Sequence, residues 1–422
     1  MMRKAFGFAV VILLCLGAWG GIAAGAGEDG VLGPISDSAR GDLRYLVIVV
    51  DFPDVRPRFS LEQIRVRAIE RTARWYQVVS YGQTRLHGRI CGPYTLPQPL
   101  ESYRVSPYNF GVKSERVYNL VRDALSLAEE HGVPIQEQDV VAVVHRAFTR
   151  PGRAYGMICY CANPGMLSKV RGGRARYLEI KTRQGTSFRK GVVVMAENFH
   201  LGFMVHDLAH ALGGVRQGRR LVMDLYDFEL QSKPRQRFRV DDAAIYLGPW
   251  DIMSQHFITP RQPPAGFSLF TMMRLGYIRP EQVVVVPPGQ TKLVRLSPLA
   301  LGKGTLGIKV MLDERRYLLV ENRQPLKLDK RLPASGVMIY RVDPTREDGA
   351  GVVRAMNADP QAPGFSRAPF GVDGQATNIF HDEEDGLAIV ALSKQGNDYM
   401  VMVARGDRAP SGAQLSRARE QQ

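Results

Sequence analysis

Cysteine is scarce in this chain, with four among 422 residues. Cys15 lies inside an apolar N-terminal run, which leaves Cys91, Cys159 and Cys161 for the body of the protein. Three cysteines allow one disulfide and one free thiol, a number that suits an export compartment, and the sequence leaves the pairing open. A cysteine-based metal centre is disfavoured, because the thiolates of Cys159 and Cys161, one residue apart, make a poor isolated site.

Long hydrophobic runs are absent after the N-terminus, where no segment approaches the ~20 apolar residues of a membrane span. At the start, Arg3 and Lys4 precede an apolar run over residues 5–16, and Ala24-Gly25-Ala26 offers a small-residue cleavage site. This order is typical of a secretory signal peptide over residues 1–26, and it predicts a secreted, periplasmic or cell-envelope protein. The alternative is an uncleaved N-terminal membrane anchor, since apolar and glycine residues continue past the run.

Acidic residues are outnumbered, with 41 Asp and Glu against 56 Lys and Arg, so the formal net charge is +15. Basic residues concentrate at residues 171–189 and 216–239. A basic exported protein could contact an anionic cell-envelope surface, and a solvated basic surface is the alternative. Because no nucleic-acid-binding motif accompanies the charge, a nucleic-acid partner is not expected. The oligomeric state is left open.

Strand and helix signals alternate in the first part of the chain. Continuous apolar runs predict buried strands at residues 45–50, 140–144 and 192–195. Ser60 with Gln63 forms a capping box before one helix, and residues 117–128 carry the apolar spacing of a second. The pattern predicts an α/β domain over residues 43–280, after a short segment at 27–42.

After residue 280 the pattern changes to short strands separated by Pro-, Gly- and Asp-rich turns. Seven strands are predicted, at residues 283–286, 291–296, 306–311, 317–321, 337–342, 387–392 and 399–403. The predicted fold class is α+β, in which the α/β domain precedes a mostly antiparallel β region at 281–405, and residues 406–422 form a disordered tail. The acidic turn at residues 382–385 is interpreted as a solvated loop, with a Ca²⁺ site as the alternative, because its carboxylates offer oxygen ligands.

The segment His206-Asp207-Leu208-Ala209-His210 places two histidines four residues apart. On a helix both imidazoles leave the same face and can hold one metal ion. Residues 202–212 carry enough apolar side chains for a core helix, which Gly213-Gly214 can end in a left-handed turn. Tetrahedral zinc needs a third protein ligand. Asp224 is the candidate, and Asp227 is the fallback in the same segment, Asp224-Leu225-Tyr226-Asp227.

A later segment, Gly248-Pro249-Trp250-Asp251-Ile252-Met253, ends in an isolated methionine of the kind that forms an apolar floor beneath a metal site. Taken in order, these segments resemble the immune-inhibitor-A-like secreted zinc metallopeptidases, of the metzincin type. That family shows a His-Glu-x-x-His helix, a glycine, a carboxylate ligand in an Asp-Leu-Tyr-Asp-like segment, and a Gly-x-Trp-Asp-x-Met turn. The resemblance covers roughly residues 43–404 and includes Ser80-Tyr81-Gly82 and Leu275-Gly276-Tyr277.

The resemblance implies a zincin-like metallopeptidase domain that binds Zn²⁺ and hydrolyses the bonds of a protein or peptide substrate with metal-activated water. The implied zinc ligands are His206, His210 and Asp224. Asp207 would act as the general base, Met253 would support the site without coordinating, and Tyr226 or Tyr246 would stabilise the oxyanion.

Two features depart from the family pattern. Asp207 stands where the family has glutamate, and a base shortened by one carbon can fall outside the reach of about 2.6–3.2 Å that proton transfer needs. Asp224 lies eleven residues after Gly213, where the family spacing is three, so residues 214–223 form a basic insert beside the site. These departures favour a metalloendopeptidase-like protein of reduced activity. The alternative is a catalytically inactive homologue that acts as an extracellular or envelope binding protein.

Overall fold

The computed structural model describes residues 30–103, 113–148, 159–168, 174–227, 247–259 and 261–406. The predicted signal peptide, Tyr246 and the predicted tail beyond Gly406 lie outside these residues. Within the described part of the chain, no helix combines the length and apolar character that crossing a membrane would need.

A five-stranded sheet forms the first layer, in the order β2-β1-β3-β7-β4. The first seven strands of the chain are β1 (Gly41–Asp51), β2 (Thr84–Thr95), β3 (Val140–His145), β4 (Cys159–Asn163), β5 (Ile180–Lys181), β6 (Ser187–Phe188) and β7 (Gly191–Ala196). Strands β1, β2, β3 and β7 are parallel, whereas β4 is antiparallel to β7 at one end of the sheet. β5 and β6 form a separate small hairpin.

Both faces of this sheet are covered, and β1 shows the consequence for the sequence. Val47 packs into one hydrophobic cluster and its neighbour Ile48 into another on the opposite face. A strand buried on both faces needs apolar residues at every position, which is why these strands are continuous apolar runs rather than alternating patterns. All three strands predicted in this part of the chain are confirmed as β1, β3 and β7.

Six α-helices accompany the sheets in the described residues. They are α1 (Leu61–Arg65), α2 (Thr72–Val79), α3 (Leu100–Tyr103), α4 (Ser114–Glu130), α5 (Leu201–Gly213) and α6 (Leu269–Arg274). A π-helical turn, Val66–Arg71, joins α1 to α2. The predicted capping box is present, since Gln63 N donates to Ser60 Oγ at 3.2 Å and Ser60 N donates to Gln63 Oε1 at 2.8 Å. Apolar residues of α4 pack on one face of the first sheet, and those of α2 and α5 on the other.

The later strands form a hairpin and two larger sheets. They are β8 (Val215–Arg216), β9 (Arg219–Arg220), β10 (Val283–Val286), β11 (Lys292–Leu296), β12 (Gly307–Met311), β13 (Tyr317–Arg323), β14 (Gly336–Val342), β15 (Val353–Met356), β16 (Ile379–Asp382), β17 (Leu387–Gln395) and β18 (Asp398–Arg405). The second sheet has the order β10-β12-β13-β14-β15 and the third β11-β18-β17-β16. All seven predicted strands are confirmed. The region is mostly antiparallel as predicted, although β10 and β12 are parallel.

The second sheet lies between the third sheet and the layer that contains α5. On β13, Val320 packs toward the third sheet, whereas Leu319 shares a core with Leu208 of α5 and with Met253. At the end of β13, the fully buried Arg323 donates to the backbone oxygen of Trp250 at 2.6 Å. The β-rich region therefore helps to position the segments around the two histidines.

Candidate metal centre

Helix α5 places both histidines in the protein interior. Its N-cap is His200, whose ring accepts from Gly202 N at 3.0 Å, and it ends before Gly214, which has a φ of 73°. The helix agrees with the predicted span to within one residue at each end. His206 and His210 are buried, and their rings are 4.7 Å apart.

Three side chains converge on one point beside this helix. His206 Nε2 and His210 Nε2 are 3.1 Å apart, and Asp224 Oδ1 lies 3.3 Å from the first and 3.2 Å from the second. A tetrahedral zinc ion with bonds of about 2.0–2.1 Å separates its ligand atoms by about 3.3–3.4 Å. The triangle therefore has the size that a zinc ion needs, and it leaves a fourth position for another ligand.

Hydrogen bonds on the far side of each ring orient the two Nε2 atoms. His206 Nδ1 lies 3.0 Å from the backbone oxygen of Ile252, and His210 Nδ1 lies 2.8 Å from that of Val222. Because a carbonyl can only accept, each Nδ1 carries the proton, and each neutral ring presents an Nε2 lone pair to the centre. Two Nε2 atoms and a carboxylate oxygen thus face one another, an arrangement that a positive charge between them, a proton or a metal ion, stabilises.

The side chains of the cluster and Arg220 shift one another's pKa values. Burial alone would lower the pKa of His206, but its hydrogen bond to Asp224 and the charges of Asp207 and Asp224 raise that pKa. Burial and the charge of Arg220 lower the pKa of His210. Burial alone would raise the pKa of Asp224, yet the charges of Arg220 and His210 hold it well below its usual range. Asp224 is therefore an ionised ligand candidate.

The basic insert between Gly213 and Asp224 folds as a hairpin. Strands β8 and β9 are joined by Gln217 and Gly218, which both have positive φ, at 51° and 76°, as a type I′ turn requires. Arg220 of β9 is buried; its Nη2 donates to Asp224 Oδ2 at 2.6 Å and its Nε to Asp348 Oδ2 at 2.6 Å. Asp348 also accepts from Asp224 N at 2.9 Å. The insert thus holds the carboxylate of Asp224, which lies eleven residues after Gly213 in the sequence.

Asp207 faces the edge strand of the first sheet. Its buried carboxylate accepts a hydrogen bond from the backbone of Cys161 in β4. In the metal-free chain burial raises the pKa of Asp207 to about 7. The predicted base is therefore next to the histidine pair but is held by a backbone N–H group of β4.

Hydrogen bonds to Asp251 hold the turn that carries Met253. Asp251 is fully buried and accepts from Met253 N, Ser268 N and Thr271 Oγ1, at 2.8, 3.0 and 2.6 Å. The backbone oxygen of Met253 accepts from Leu225 N at 3.0 Å, next to Asp224. Met253 itself is buried in the core that includes α5. The turn therefore aligns the Ile252 carbonyl with His206 and the Asp224 segment with both histidines.

Sequence reasoning missed His256, which adjoins the cluster. Its ring centroid is 4.3 Å from that of His206, and its Nε2 lies 3.2 Å from the hydroxyl of Tyr226. Burial and the charge of His206 hold the pKa of His256 well below its usual value, so it is a neutral hydrogen-bonding group. Its position three residues after Met253, in a chain with only eight histidines, is the one sequence signal that could have indicated it.

The other candidates lie elsewhere. Asp227, the fallback ligand, pairs with Arg354 at 3.1 Å and is outside the cluster. In the acidic turn proposed for Ca²⁺, Asp382 and Asp385 both pair with Arg341. Cys91 and Cys161 are free thiols, and the side chain of Cys159 is outside the described residues.

Close packing at Gly202 gives a test of this geometry. A Cβ at Gly202 would lie 1.7 Å from the backbone oxygen of His256, which cannot move without moving the chain. Replacing a glycine inside a helix with alanine normally raises the free energy of unfolding by about 0.5–1 kcal/mol. We expect Gly202→Ala instead to lower the free energy of unfolding by about 1–3 kcal/mol, the usual cost of overpacking. Denaturant unfolding measures it, with Gly266→Ala, whose Cβ meets nothing closer than 3.3 Å, as control. A Gly202→Ala protein as stable as the wild type would contradict the packing.

Comparison with solved structures finds a distant likeness. No protein-family model matches the chain, and no curated protein matches it. Among solved structures, metalloproteinase-II from Bacteroides fragilis aligns with a TM-score of 0.29 and 12% sequence identity, over 57% of this chain and 56% of that one. The match thus spans little more than half of each chain, and at this TM-score it carries no assignment of family or activity. The resemblance to the immune-inhibitor-A-like peptidases stays a prediction from sequence.

Proposed function

We propose that this chain is an exported zinc-dependent metalloendopeptidase-like protein with a zincin-like domain, and that it hydrolyses peptide bonds at reduced efficiency. The observation that carries the proposal is the triangle of His206 Nε2, His210 Nε2 and Asp224 Oδ1, with sides of 3.1–3.3 Å. Polar groups are costly to bury in a core helix, so two buried imidazoles that converge with a carboxylate need a group that holds them together. A metal site accounts for all three.

Each residue of the cluster has a definite role in this proposal. His206, His210 and Asp224 would bind the zinc ion, which supplies Lewis acidity and lowers the pKa of a bound water. The carbonyls of Ile252 and Val222 fix the two imidazoles, and Arg220 keeps Asp224 ionised and holds its second oxygen. Tyr226 and His256, which contact each other, border the cluster as hydrogen-bonding groups toward a substrate oxygen.

Asp207 is the proposed proton acceptor. It adjoins His206 on α5, and its buried carboxylate accepts a hydrogen bond from the backbone of Cys161.

One observation favours the alternative, a catalytically inactive homologue that serves as an extracellular or envelope binding protein. The carboxylate of Asp207 is one carbon shorter than that of glutamate and is already engaged by the backbone of Cys161. A base held in this way reaches less far toward a proton at the centre of the cluster.

The deciding experiment combines metal analysis with peptide hydrolysis. We expect the purified chain to hold about one zinc ion and to cleave casein slowly, with cleavage lost on treatment with a chelator. Asp207→Glu should raise the rate by about tenfold or more, since loss of a positioned general base costs roughly 10²–10⁴-fold. Asp207→Asn, of the same size as aspartate but unable to accept the proton, is the matched control and should show no cleavage.

Each result separates the candidates. Zinc with no cleavage, even in Asp207→Glu, would favour the binding protein over the enzyme. A chain that binds no zinc would contradict the metal site itself.

A further inference from the structure

A large groove with basic walls lies outside the metal cluster. It has a volume of about 1640 Å³ and runs between the outer face of the α1–α2 helix, the start of α5, and loops of the β-rich region. None of the three clustered residues lines it. His200, which does, precedes His206 by six residues, or about 9 Å of helix rise. We call it the basic groove, defined by Arg71, Arg74, Arg261, Lys303 and Lys327.

The charges of the basic groove are not balanced by the protein. Among the described residues, its five defining side chains are exposed and have no carboxylate within ion-pair distance. Glu62 is the single acidic residue of the lining, and it pairs at 2.6 Å with Arg65, which does not line the groove. Positive charges that line a cleft attract anions more strongly than the same charges on a flat surface.

The segments outside the described residues carry no excess of acidic residues. Residues 104–112, 149–158, 169–173, 228–246 and 407–422 all contain more Lys and Arg than Asp and Glu. In residues 1–29 two basic residues balance two acidic ones. This composition favours a counter-charge that comes from another molecule.

The shape and lining of the basic groove indicate the class of that molecule. Pockets for small molecules have volumes of about 300–1,000 Å³, so this groove suits a segment of a polymer. Its floor is apolar and includes the half-buried Val66, Val78 and Leu328. Nucleic-acid strands stack bases on exposed aromatic faces. Of the four aromatic side chains in the lining, Trp75 and Phe199 are 2% and 1% exposed, and Phe59 and Tyr81 are half-buried, which favours a peptide over a nucleic-acid strand.

We propose that the basic groove binds an acidic polypeptide segment of another protein, with its carboxylates on the arginines and lysines and its apolar side chains on the floor. Guanidinium groups pair with carboxylates through two parallel hydrogen bonds, which favours Arg71, Arg74 and Arg261 as the main contacts. The proposal does not depend on zinc or on peptidase activity.

Fluorescence anisotropy with the full-length chain tests it, in buffer with a chelator so that no cleavage occurs. The probe is a fluorescein-labelled peptide of three Asp-Ala-Glu-Val repeats. The triple variant Arg71→Glu, Arg74→Glu and Arg261→Glu should weaken binding roughly 10- to 100-fold, because attraction at three contacts becomes repulsion. The control variant reverses three exposed arginines outside the groove, Arg89, Arg176 and Arg315, and should change binding less than about twofold.

Added salt should weaken binding to the wild type. An equal loss in both triple variants would overturn the proposal, because binding would then follow net charge alone. The proposal would also be overturned if a peptide with lysine in place of its acidic residues bound equally well, or if the acidic peptide did not bind at all. Tighter binding of a labelled uridine oligonucleotide, lost in the groove variant, would assign the groove to nucleic acid instead. None of these outcomes affects the metal-site proposal, which is tested by zinc content.

Discussion

Replacing His210 with alanine is expected to reduce bound zinc from about one ion per chain to background. The variant leaves only His206 and Asp224 of the three converging ligands, and two protein ligands do not make a stable zinc site. His210 Nε2 lies 3.1 Å from His206 Nε2 and 3.2 Å from Asp224 Oδ1, so its loss removes one of the three atoms that would bind the ion. Metal analysis after dialysis against a weak chelator measures the loss.

Thermal unfolding provides a second readout of the same variant. A ligand that binds only the folded state raises its stability, so a strong chelator should lower the unfolding temperature of the wild type and leave that of His210→Ala unchanged. The matched control is His131→Ala, since His131 is exposed and its ring contacts the Leu127 oxygen and the ring of Tyr94, neither of which belongs to the cluster. It should keep its zinc. Full zinc content in His210→Ala would exclude this residue as a ligand.

The helix and its two histidines were predictable because their signals are local. Four-residue spacing places two imidazoles on one face of any helix, and the glycines after Leu212 mark its end. Strands β1, β3 and β7 were equally predictable, since burial on both faces demands uninterrupted apolar runs. The end strands β2 and β4 were missed because their sequences mix polar and apolar residues, and the two short hairpins and strands β15 and β16 were missed as well.

The support around the cluster was not predictable, because it depends on contacts between distant parts of the chain. Asp348 lies 128 residues after Arg220, and no local motif marks either residue as a partner of Asp224. From the sequence, the insert at residues 214–223 was a departure from the family spacing that made Asp224 doubtful as the third ligand. Its turn at Gln217 and Gly218 makes it a docked hairpin, and its arginine brings the ligand into place. A sequence shows the length of an insert but not which of its side chains is buried against the rest of the protein.

Replacing Arg220 with methionine should therefore have two effects, one on stability and one on metal affinity. Arg220 is 7% exposed and pairs with both Asp224 and Asp348. Removing one partner of a buried charged group leaves the others uncompensated, at a typical cost of about 3–5 kcal/mol in the free energy of unfolding. Loss of the group that orients a metal ligand usually weakens metal binding by about 10- to 100-fold. Denaturant unfolding of the zinc-free chain and zinc titration against a chromophoric competitor measure the two effects.

The double variant Arg220→Met with Asp348→Leu distinguishes lost charge pairing from lost packing. When Asp348 also becomes apolar, no unpaired carboxylate remains at position 348, and part of the stability should return. The rest should stay lost, because Asp224 keeps an uncompensated charge and its N–H loses the Asp348 acceptor. Zinc affinity should stay low, because Asp224 still lacks the guanidinium that holds its Oδ2. Arg216→Met, on the exposed side of the same hairpin, controls for changes to the hairpin alone and should retain both stability and affinity. If Arg220→Met binds zinc as tightly as the wild type, the triangle is set by α5 and the Met253 turn without help from the insert.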